Sequence, residues 1–181
     1  MSSLAWLNDL QLGSIRFTPV REHHRHYIYS LRVNPKYNTH LSPAPASADS
    51  QGAWISTYTE REAAGTEYYF LIERIDGTAC GTVRLYDFKE NSFCWGSWIL
   101  DENKTRYAAI QSALLVYEIG FDKLGFEQSH FDVRLENTRV IAFHERMGAI
   151  RTHKSTDDQY MILTREAFQK EKPKLLNLLK G

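Results

Sequence analysis

A crossover in the middle of the chain constrains the fold more than any other feature. Phe93 to Leu100 is predicted as a strand, Tyr107 to Leu124 has the apolar spacing of a helix, and His130 to Leu135 is predicted as another strand. Two strands that are connected by a long helix usually lie parallel to each other in one sheet. We therefore predict one parallel pair within the sheet, splayed where the chain leaves the first strand for the helix.

The segments on either side predict antiparallel pairing. Tyr68 to Ile75 is an almost continuous apolar run, and Asp76-Gly77 is a strong hairpin signal before the strand Cys80 to Phe88. Three further strands and three helices are predicted: Ile15–Val20, Ile150–Lys154 and Gln159–Thr164 as strands, and Arg21–Val33, Ser50–Gly65 and Thr138–Met147 as helices. The pattern predicts an α/β (α+β) fold, with a mixed, mostly antiparallel sheet of about seven strands flanked by helices.

Size and composition narrow the class of protein. With 181 residues and 43% apolar content, we expect one globular domain spanning residues 1–181. Lys plus Arg and Asp plus Glu are 22 each, without a basic block, so we expect no binding to nucleic acid or to an acidic membrane. Met1 to Asp9 lacks the features of a secretory signal, and Cys80 and Cys94 form no motif, so we expect a cytoplasmic protein with reduced thiols.

The junction between the strand and the long helix is a candidate anion site. The first turn of a helix offers backbone N–H groups and the positive end of the helix dipole. Lys104 and Arg106 add charge there, and Ala108 and Ala109 would let an anion approach the backbone. A diphosphate would fit this arrangement. An ordinary helix start with solvated basic residues is the alternative.

Asp132 and His144 are candidates for acid–base chemistry. If Phe131 and Val133 face one side of their strand, Asp132 faces the other and could accept a proton from an ammonium group. His144 follows Asn137 by two helical turns and could give a proton to a departing thiolate. The alternatives are a solvent-facing or ion-paired aspartate and a packed or surface histidine.

These residues carry a resemblance to a known family. Asn137, then five residues, then Phe143-His144-Glu145-Arg146-Met147-Gly148-Ala149 resembles the "Asn…Tyr-Glu-Lys-Leu-Gly-Phe" helix of the GNAT superfamily of N-acetyltransferases. The strand Gly96-Ser97-Trp98-Ile99 and the pair Arg32 and Asn34 resemble the branch that acetylates ribosomal-protein N-termini and nucleotide-linked amino sugars. The order of elements agrees with this family over most of the chain.

The resemblance implies a direct transfer from acetyl-CoA. The spacing of His23, His24 and His26 matches no metal-binding motif, so we expect no metal. The resemblance assigns the thioester to the strand residues Trp98, Ile99 and Leu100, and the pantetheine arm to Asn137. Lys104 and the segment Arg106-Tyr107-Ala108-Ala109-Ile110-Gln111 would hold the pyrophosphate. In this segment Ala109 and Gln111 depart from the family pattern of small residues. The resemblance makes Asp132 the base and His144 the acid, where the family usually has a tyrosine.

The acceptor is implied less directly. The residues assigned to it are Arg32, Asn34, Trp54, Tyr86 and Trp95. A small primary amine, and in particular a nucleotide-linked amino sugar, is expected because Tyr86-Asp87-Phe88 through Trp98 resembles amino-sugar acetyltransferases of surface-polysaccharide pathways. For each aromatic side chain taken alone, plain core packing is the favoured alternative. The alternatives are a protein N-terminus as acceptor, and a non-catalytic acyl-CoA-binding module. We expect a monomer or a homodimer.

Overall fold

The computed structural model describes residues 4–180 and contains eight strands and five α-helices within them. The strands are β1 Gln11–Leu12, β2 Ile15–Pro19, β3 Tyr68–Arg74, β4 Ala79–Lys89, β5 Ser92–Leu100, β6 Gln128–Arg134, β7 Ile150–Lys154 and β8 Asp158–Thr164. The helices are α1 Arg25–Val33, α2 Ala48–Ala63, α3 Ala108–Tyr117, α4 Thr138–Arg146 and α5 Arg165–Leu178. The strands follow one another in the sheet in the order β1-β2-β3-β4-β5-β6-β8-β7.

The predicted fold class is confirmed. The strands β5 and β6 are parallel, with Ser92 opposite Gln128 and Phe93 opposite Ser129 near the starts of both strands. The registers β1–β2, β2–β3, β3–β4, β6–β8 and β7–β8 are antiparallel. The sheet has one strand more than about seven, because the two-residue strand β1 pairs with β2. The predicted helix Tyr107 to Leu124 is α-helical only to Tyr117 and continues as a π-helical turn over Glu118–Lys123.

The chain forms two compact units. The first comprises residues up to Tyr86 together with Gly96–Ser112, and the second comprises Asp87–Trp95 and the residues from Ala113 onward. Neither unit is a continuous segment, since the chain changes unit within β4, within β5 and within α3. A single domain over residues 1–181 stays a prediction, and its first three residues and Gly181 lie outside the described part of the chain.

In the first unit, helices α1 and α2 cover one face of β3. The residues of this core are Val20, Ile28, Ile55, Tyr58, Tyr69 and Leu71. Helix α2 begins where the Ser47 hydroxyl accepts a hydrogen bond from the Ser50 amide. The buried Glu62 carboxylate on α2 accepts two hydrogen bonds of 2.9 Å from Arg21 and one of 2.7 Å from the Tyr58 hydroxyl. This paired charge fixes α2 against the segment that precedes α1.

In the second unit, the core is largely aromatic. Its rings include Phe93, Trp95, Tyr117, Phe121, Phe131 and Phe168. The alternating burial of β6, with Phe131 and Val133 inside and Asp132 and Arg134 exposed, follows the sequence pattern. Helix α5 begins where the Thr164 hydroxyl accepts a hydrogen bond from the Ala167 amide. None of the helices in residues 4–180 is long and apolar enough to cross a membrane.

Candidate active site

An irregularity in β5 lies beside the residues predicted to contact the thioester. Ser97 has a φ of +46°, a left-handed conformation that non-glycine residues rarely adopt within a strand. Its carbonyl accepts a hydrogen bond of 2.9 Å from the Thr82 hydroxyl on the neighbouring strand β4. Strained backbone of this kind persists only where the surroundings hold it, and it is enriched at functional sites. The turned peptide immediately precedes Trp98, Ile99 and Leu100.

The end of β5 is fixed from two sides. A Cβ at Gly81 would lie 2.1 Å from the carbonyl oxygen of Ile99, so β4 approaches β5 at a distance that only glycine permits. The Trp98 indole donates a hydrogen bond of 3.1 Å to the Ser112 hydroxyl on α3, and this hydroxyl donates one of 3.1 Å to the carbonyl of Ala109. Strand β5 and the first turn of α3 are therefore held in one arrangement.

The start of α3 has the character of an anion site. Lys104 and Arg106 are exposed, and the Arg106 guanidinium lies 5.0 Å from the centre of the Tyr107 ring. Ala108 is fully buried, whereas Ala109 and Ile110 are half-buried. Two exposed cations beside a helix N-terminus with small side chains fit a diphosphate.

Gln111 has a structural partner that the sequence did not reveal. Its side-chain oxygen accepts a hydrogen bond of 2.7 Å from the Ser14 hydroxyl, which is also 2.7 Å from the Thr105 hydroxyl. A Cβ at Gly13 would lie 2.2 Å from the Gln111 side-chain nitrogen. The buried Gln111 side chain thus holds the turn between β1 and β2 against α3, and the Gln111 amide donates a hydrogen bond of 2.9 Å to the Tyr107 carbonyl, so this residue is poorly placed for the predicted diphosphate contact.

Asp132 is exposed on β6, on the face opposite Phe131 and Val133. Partial desolvation, and then the negative charge of Asp158, raise the pKa of its carboxyl above the usual value. Arg134 forms its salt bridge with Asp158, at 3.4 Å. A carboxylate with a raised pKa is a better proton acceptor, in agreement with the predicted role as a base.

His144 on α4 is buried, with 5% of its surface exposed. The ring centres of Phe131 and Trp95 lie 4.3 and 5.4 Å from that of the imidazole. Desolvation lowers the pKa of His144 to about 3, so the imidazole is neutral at neutral pH. The partial charge expected for a proton donor at this position is therefore absent in the folded protein.

Asn137 lies at the N-cap of α4 and is half-buried. Its backbone carbonyl accepts hydrogen bonds of 3.2 Å from the amides of Val140 and Ile141, but its side chain makes no capping hydrogen bond within the described chain. Asparagine is a favoured N-cap because its side chain usually caps the helix. In this protein the side-chain carboxamide of Asn137 does not cap the helix and can make another contact, in keeping with the predicted interaction with pantetheine.

The residues assigned to the acceptor fall into both units. The Arg32 guanidinium donates to oxygen atoms of Ser42 and Pro43, and the Asn34 side chain accepts from the Lys36 amide at 2.9 Å. These contacts order the loop that follows α1.

Three aromatic residues complete this set. Trp54 packs against the core of the first unit, and the Arg84 guanidinium lies 5.5 Å from its ring and 4.1 Å from that of Tyr86. Trp95 is buried in the second unit, and its indole donates a hydrogen bond of 3.0 Å to the Tyr117 hydroxyl. The structure thus brings Trp54 and Tyr86 together through Arg84, a residue that the sequence did not single out, whereas the burial of Trp95 counts against direct contact with a substrate.

Comparison with known proteins decides the family. A family model described as an acetyltransferase (GNAT) domain matches residues 14–150. The chain belongs to the GNAT acetyltransferase family. A solved structure described as apo FdhC, a nucleotide-linked sugar GNAT, is 47% identical, with a TM-score of 0.85 over 91% of this chain and 94% of that one. No curated protein matches in a direct sequence comparison.

More distant members of the family share the fold. The spermidine N-acetyltransferase from Vibrio cholerae, solved with CoA and spermine, has a TM-score of 0.74 at 14% identity, over 86% of this chain and 98% of that one. At this identity the likeness shows the fold alone. This GNAT protein is therefore an N-acetyltransferase, and its family uses acetyl-CoA as the acyl donor. Within residues 4–180, no cluster of three or more His, Cys, Asp or Glu side chains could hold a metal.

Proposed function

We propose that this GNAT protein transfers the acetyl group of acetyl-CoA to the primary amine of a nucleotide-linked amino sugar. The observation that carries the proposal is the 47% identity, over 91% of the chain, to a protein described as a nucleotide-linked sugar GNAT. The acceptor is thus a small molecule. Within residues 4–180, Cys80 and Cys94 are buried and form no disulfide, in keeping with a cytoplasmic enzyme.

The donor is held by residues of the first unit. Trp98, Ile99 and Leu100 present backbone groups to the thioester, and an amide near Trp98 or Ile99 stabilises the oxyanion that forms on its carbonyl. Lys104 and Arg106, together with the start of α3, bind the diphosphate of the coenzyme. The carboxamide of Asn137 is the proposed contact of the pantetheine arm.

Proton transfer is assigned to the second unit. The acceptor amine binds as an ammonium ion and gives a proton to Asp132, directly or through water. The neutral amine attacks the thioester carbon, the carbon–sulfur bond breaks, and the remaining proton lost by the nitrogen as the amide forms is taken up by the thiolate. His144 is the proposed hydrogen-bond donor to the thiolate. Because its imidazole is neutral, it can stabilise the thiolate through a neutral N–H and relay a proton only if it regains one.

A panel of amines tests the acceptor. Thiol release from acetyl-CoA should be measured with nucleotide-linked amino sugars, free amino sugars, spermidine and a peptide with a free N-terminus. We expect kcat/KM at least about tenfold higher for a nucleotide-linked sugar, a difference of about 1.4 kcal/mol. Preference for the peptide or for spermidine would refute the proposed acceptor, and the absence of turnover with every amine would favour an acyl-CoA-binding module.

Substitutions at two positions, Asp132 and His144, test the proton path. Asp132→Asn should lower kcat by about 10²–10⁴-fold with little change in the KM for acetyl-CoA. Asp157→Asn, at an exposed site in the same unit, is the control. If His144 transfers a proton, His144→Gln and His144→Phe should both lose turnover. If it supplies only a hydrogen bond, the glutamine variant should retain most of it.

A further inference from the structure

The sheet face beneath α1 and α2 carries polar residues among its apolar ones. In the antiparallel register, Tyr69 on β3 lies opposite Arg84 on β4, and Leu71 lies opposite Thr82. Directly opposed residues share one face of a sheet. Because Tyr69 and Leu71 belong to the core under the two helices, Arg84 and Thr82 also face those helices.

Arg84 is held there by aromatic rings rather than by a close carboxylate. Its guanidinium carbon lies 4.1 Å from the ring centre of Tyr86 and 5.5 Å from that of Trp54. Only 20% of its side chain is exposed, and its Nε is buried without a hydrogen bond to any residue in the described chain. Its salt bridge with Glu67 is long, at 3.9 Å. The two aromatic rings therefore fix the position of the Arg84 guanidinium, but no carboxylate lies close enough to neutralise its charge well.

Glu67, the one acidic partner of Arg84 within residues 4–180, is shared with a second arginine. The Glu67 carboxylate accepts two hydrogen bonds of 3.3 Å from Arg61, so its charge is shared with a second guanidinium. Each buried cation normally pairs with an anion, since an uncompensated charge is costly to desolvate. A half-buried cluster with more guanidinium than carboxylate groups therefore favours a bound anion.

Arg32 adds a second cation from the end of α1. Its Nη2 donates to three neutral oxygen atoms of Ser42 and Pro43, and its Nε is buried and makes no hydrogen bond among residues 4–180. The charges of Arg32 and Arg84 both act on the buried Tyr69 hydroxyl. Burial raises the pKa of this phenol, while the charges of Arg32 and then Arg84, followed by hydrogen bonds with Thr82 and Arg32, act to lower it.

The arginine pair adjoins the irregular part of β5. Thr82, two residues before Arg84, donates its hydroxyl hydrogen to the carbonyl of Ser97. A Cβ at Gly96 would lie 3.0 Å from the Tyr86 hydroxyl, so the ring that supports Arg84 covers the backbone of β5 at this point. An anion bound by the arginines would lie beside the strand proposed to hold the thioester.

We propose that Arg32 and Arg84 form an anion subsite that binds the diphosphate of the acceptor. The proposal rests on the proposed function, because a nucleotide-linked sugar carries a diphosphate close to its amino sugar. Planar guanidinium groups bind phosphoryl oxygens through pairs of hydrogen bonds, and Arg84 and Arg32 retain donors for them. The subsite selects acceptors with a diphosphate and disfavours polycationic amines such as spermidine.

A binding experiment tests the subsite without turnover. The dissociation constants of UDP, dTDP and the parent nucleosides should be measured by calorimetry with saturating CoA, which blocks the diphosphate site of the donor. We expect the wild-type protein to bind at least one diphosphate about 10- to 100-fold more tightly than its nucleoside. Arg84→Gln and Arg32→Gln should each remove most of this preference and leave CoA affinity unchanged.

The controls separate the possible failures. Arg74→Gln, at an exposed arginine of β3 paired with Asp76, should keep the full preference. Pyrophosphate should compete with the nucleotide, whereas glucuronate should not, because the subsite is assigned to phosphoryl groups. A wild-type protein that does not distinguish diphosphate from nucleoside, equal competition by glucuronate, or folded arginine variants that keep the preference would each overturn the subsite. The amine panel decides the proposed function independently.

Discussion

At the scale of single residues, His144 shows how burial changes the chemistry that a motif implies. The sequence places a histidine where the family usually has a tyrosine. The fold then surrounds it with the rings of Phe131 and Trp95 and excludes the charged form. A neutral imidazole can hold a hydrogen bond at this position, but it cannot deliver the proton of an imidazolium ion.

Titration of His144 should be visible in the stability of the protein. The pKa falls from 6.5 to about 3 on folding, so only the unfolded chain takes up this proton between these pH values. The free energy of unfolding should therefore decrease as the pH is lowered through this window, by up to about 1.4 kcal/mol per pH unit. Urea unfolding at several pH values should show a shallower decrease for His144→Gln.

The exposed His153 of the same unit provides the control for this measurement. His153→Gln should keep the slope of the wild-type protein. Equal slopes for wild type and His144→Gln would contradict the burial of a neutral imidazole.

At the scale of secondary-structure elements, the pairing of β4 with β5 places the donor strand. Gly81 permits the close approach to the Ile99 carbonyl, and Thr82 binds the turned carbonyl of Ser97. Two adjacent residues of β4 thus set both the distance between β4 and β5 and the local backbone geometry of β5.

A methyl group at Gly81 should disrupt this pairing. Gly81→Ala places a Cβ 2.1 Å from a backbone oxygen that cannot rotate away, so it should lower the free energy of unfolding by more than about 2 kcal/mol. Gly125→Ala is the comparison, since Gly125 has a φ of +79° and an open environment. It should cost only about 1 kcal/mol, from backbone strain alone. Chemical unfolding of the two variants measures the difference, and equal losses would argue against the close approach.

The conformation of Ser97 gives a second prediction for this element. Ser97→Gly should preserve kcat and leave stability within about 1 kcal/mol of wild type, since glycine adopts a φ of +46° without strain. Ser97→Val should lower both stability and kcat, because a β-branched residue resists this conformation. Steady-state kinetics combined with thermal unfolding would reveal this contrast, and a fully active valine variant would show that the turned peptide is not needed.

At the scale of the whole molecule, charge is distributed unevenly although it sums to zero. Arg61 and Arg84 share the carboxylate of Glu67, and Lys104 and Arg106 are exposed at the start of α3. The acetyl-CoA donor carries a diphosphate, and so does the nucleotide-linked acceptor that we propose. The enzyme would therefore bind two diphosphate groups. Local charge therefore indicates the ligands better than net charge does.

Binding of acetyl-CoA should stabilise the folded protein. At a concentration of about 100 times Kd the free energy of unfolding should rise by about 2.7 kcal/mol, with a corresponding increase in Tm. A variant with Lys104→Gln and Arg106→Gln should show a smaller shift at the same concentration and an unchanged Tm without ligand, since both residues are exposed. Equal shifts in differential scanning fluorimetry would exclude these two cations from donor binding.

The sequence alone determined the order and type of most elements, although it missed β1 and the π-helical end of α3. Asp76-Gly77 forms its hairpin turn with a φ of +91° at the glycine, the crossover produces the parallel pair, and Asp132 faces away from Phe131 and Val133. Each of these features depends on periodicity or turn chemistry within a short segment, which a sequence displays directly.

Only the tertiary structure decided how individual side chains are used. Gln111 is bound to Ser14, 97 positions away in the chain, and Arg84 is stacked against Trp54 from another element. The neutral state of His144 likewise results from rings that several separate segments contribute. Such contacts depend on the packing of distant segments, and neither composition nor spacing carries that information.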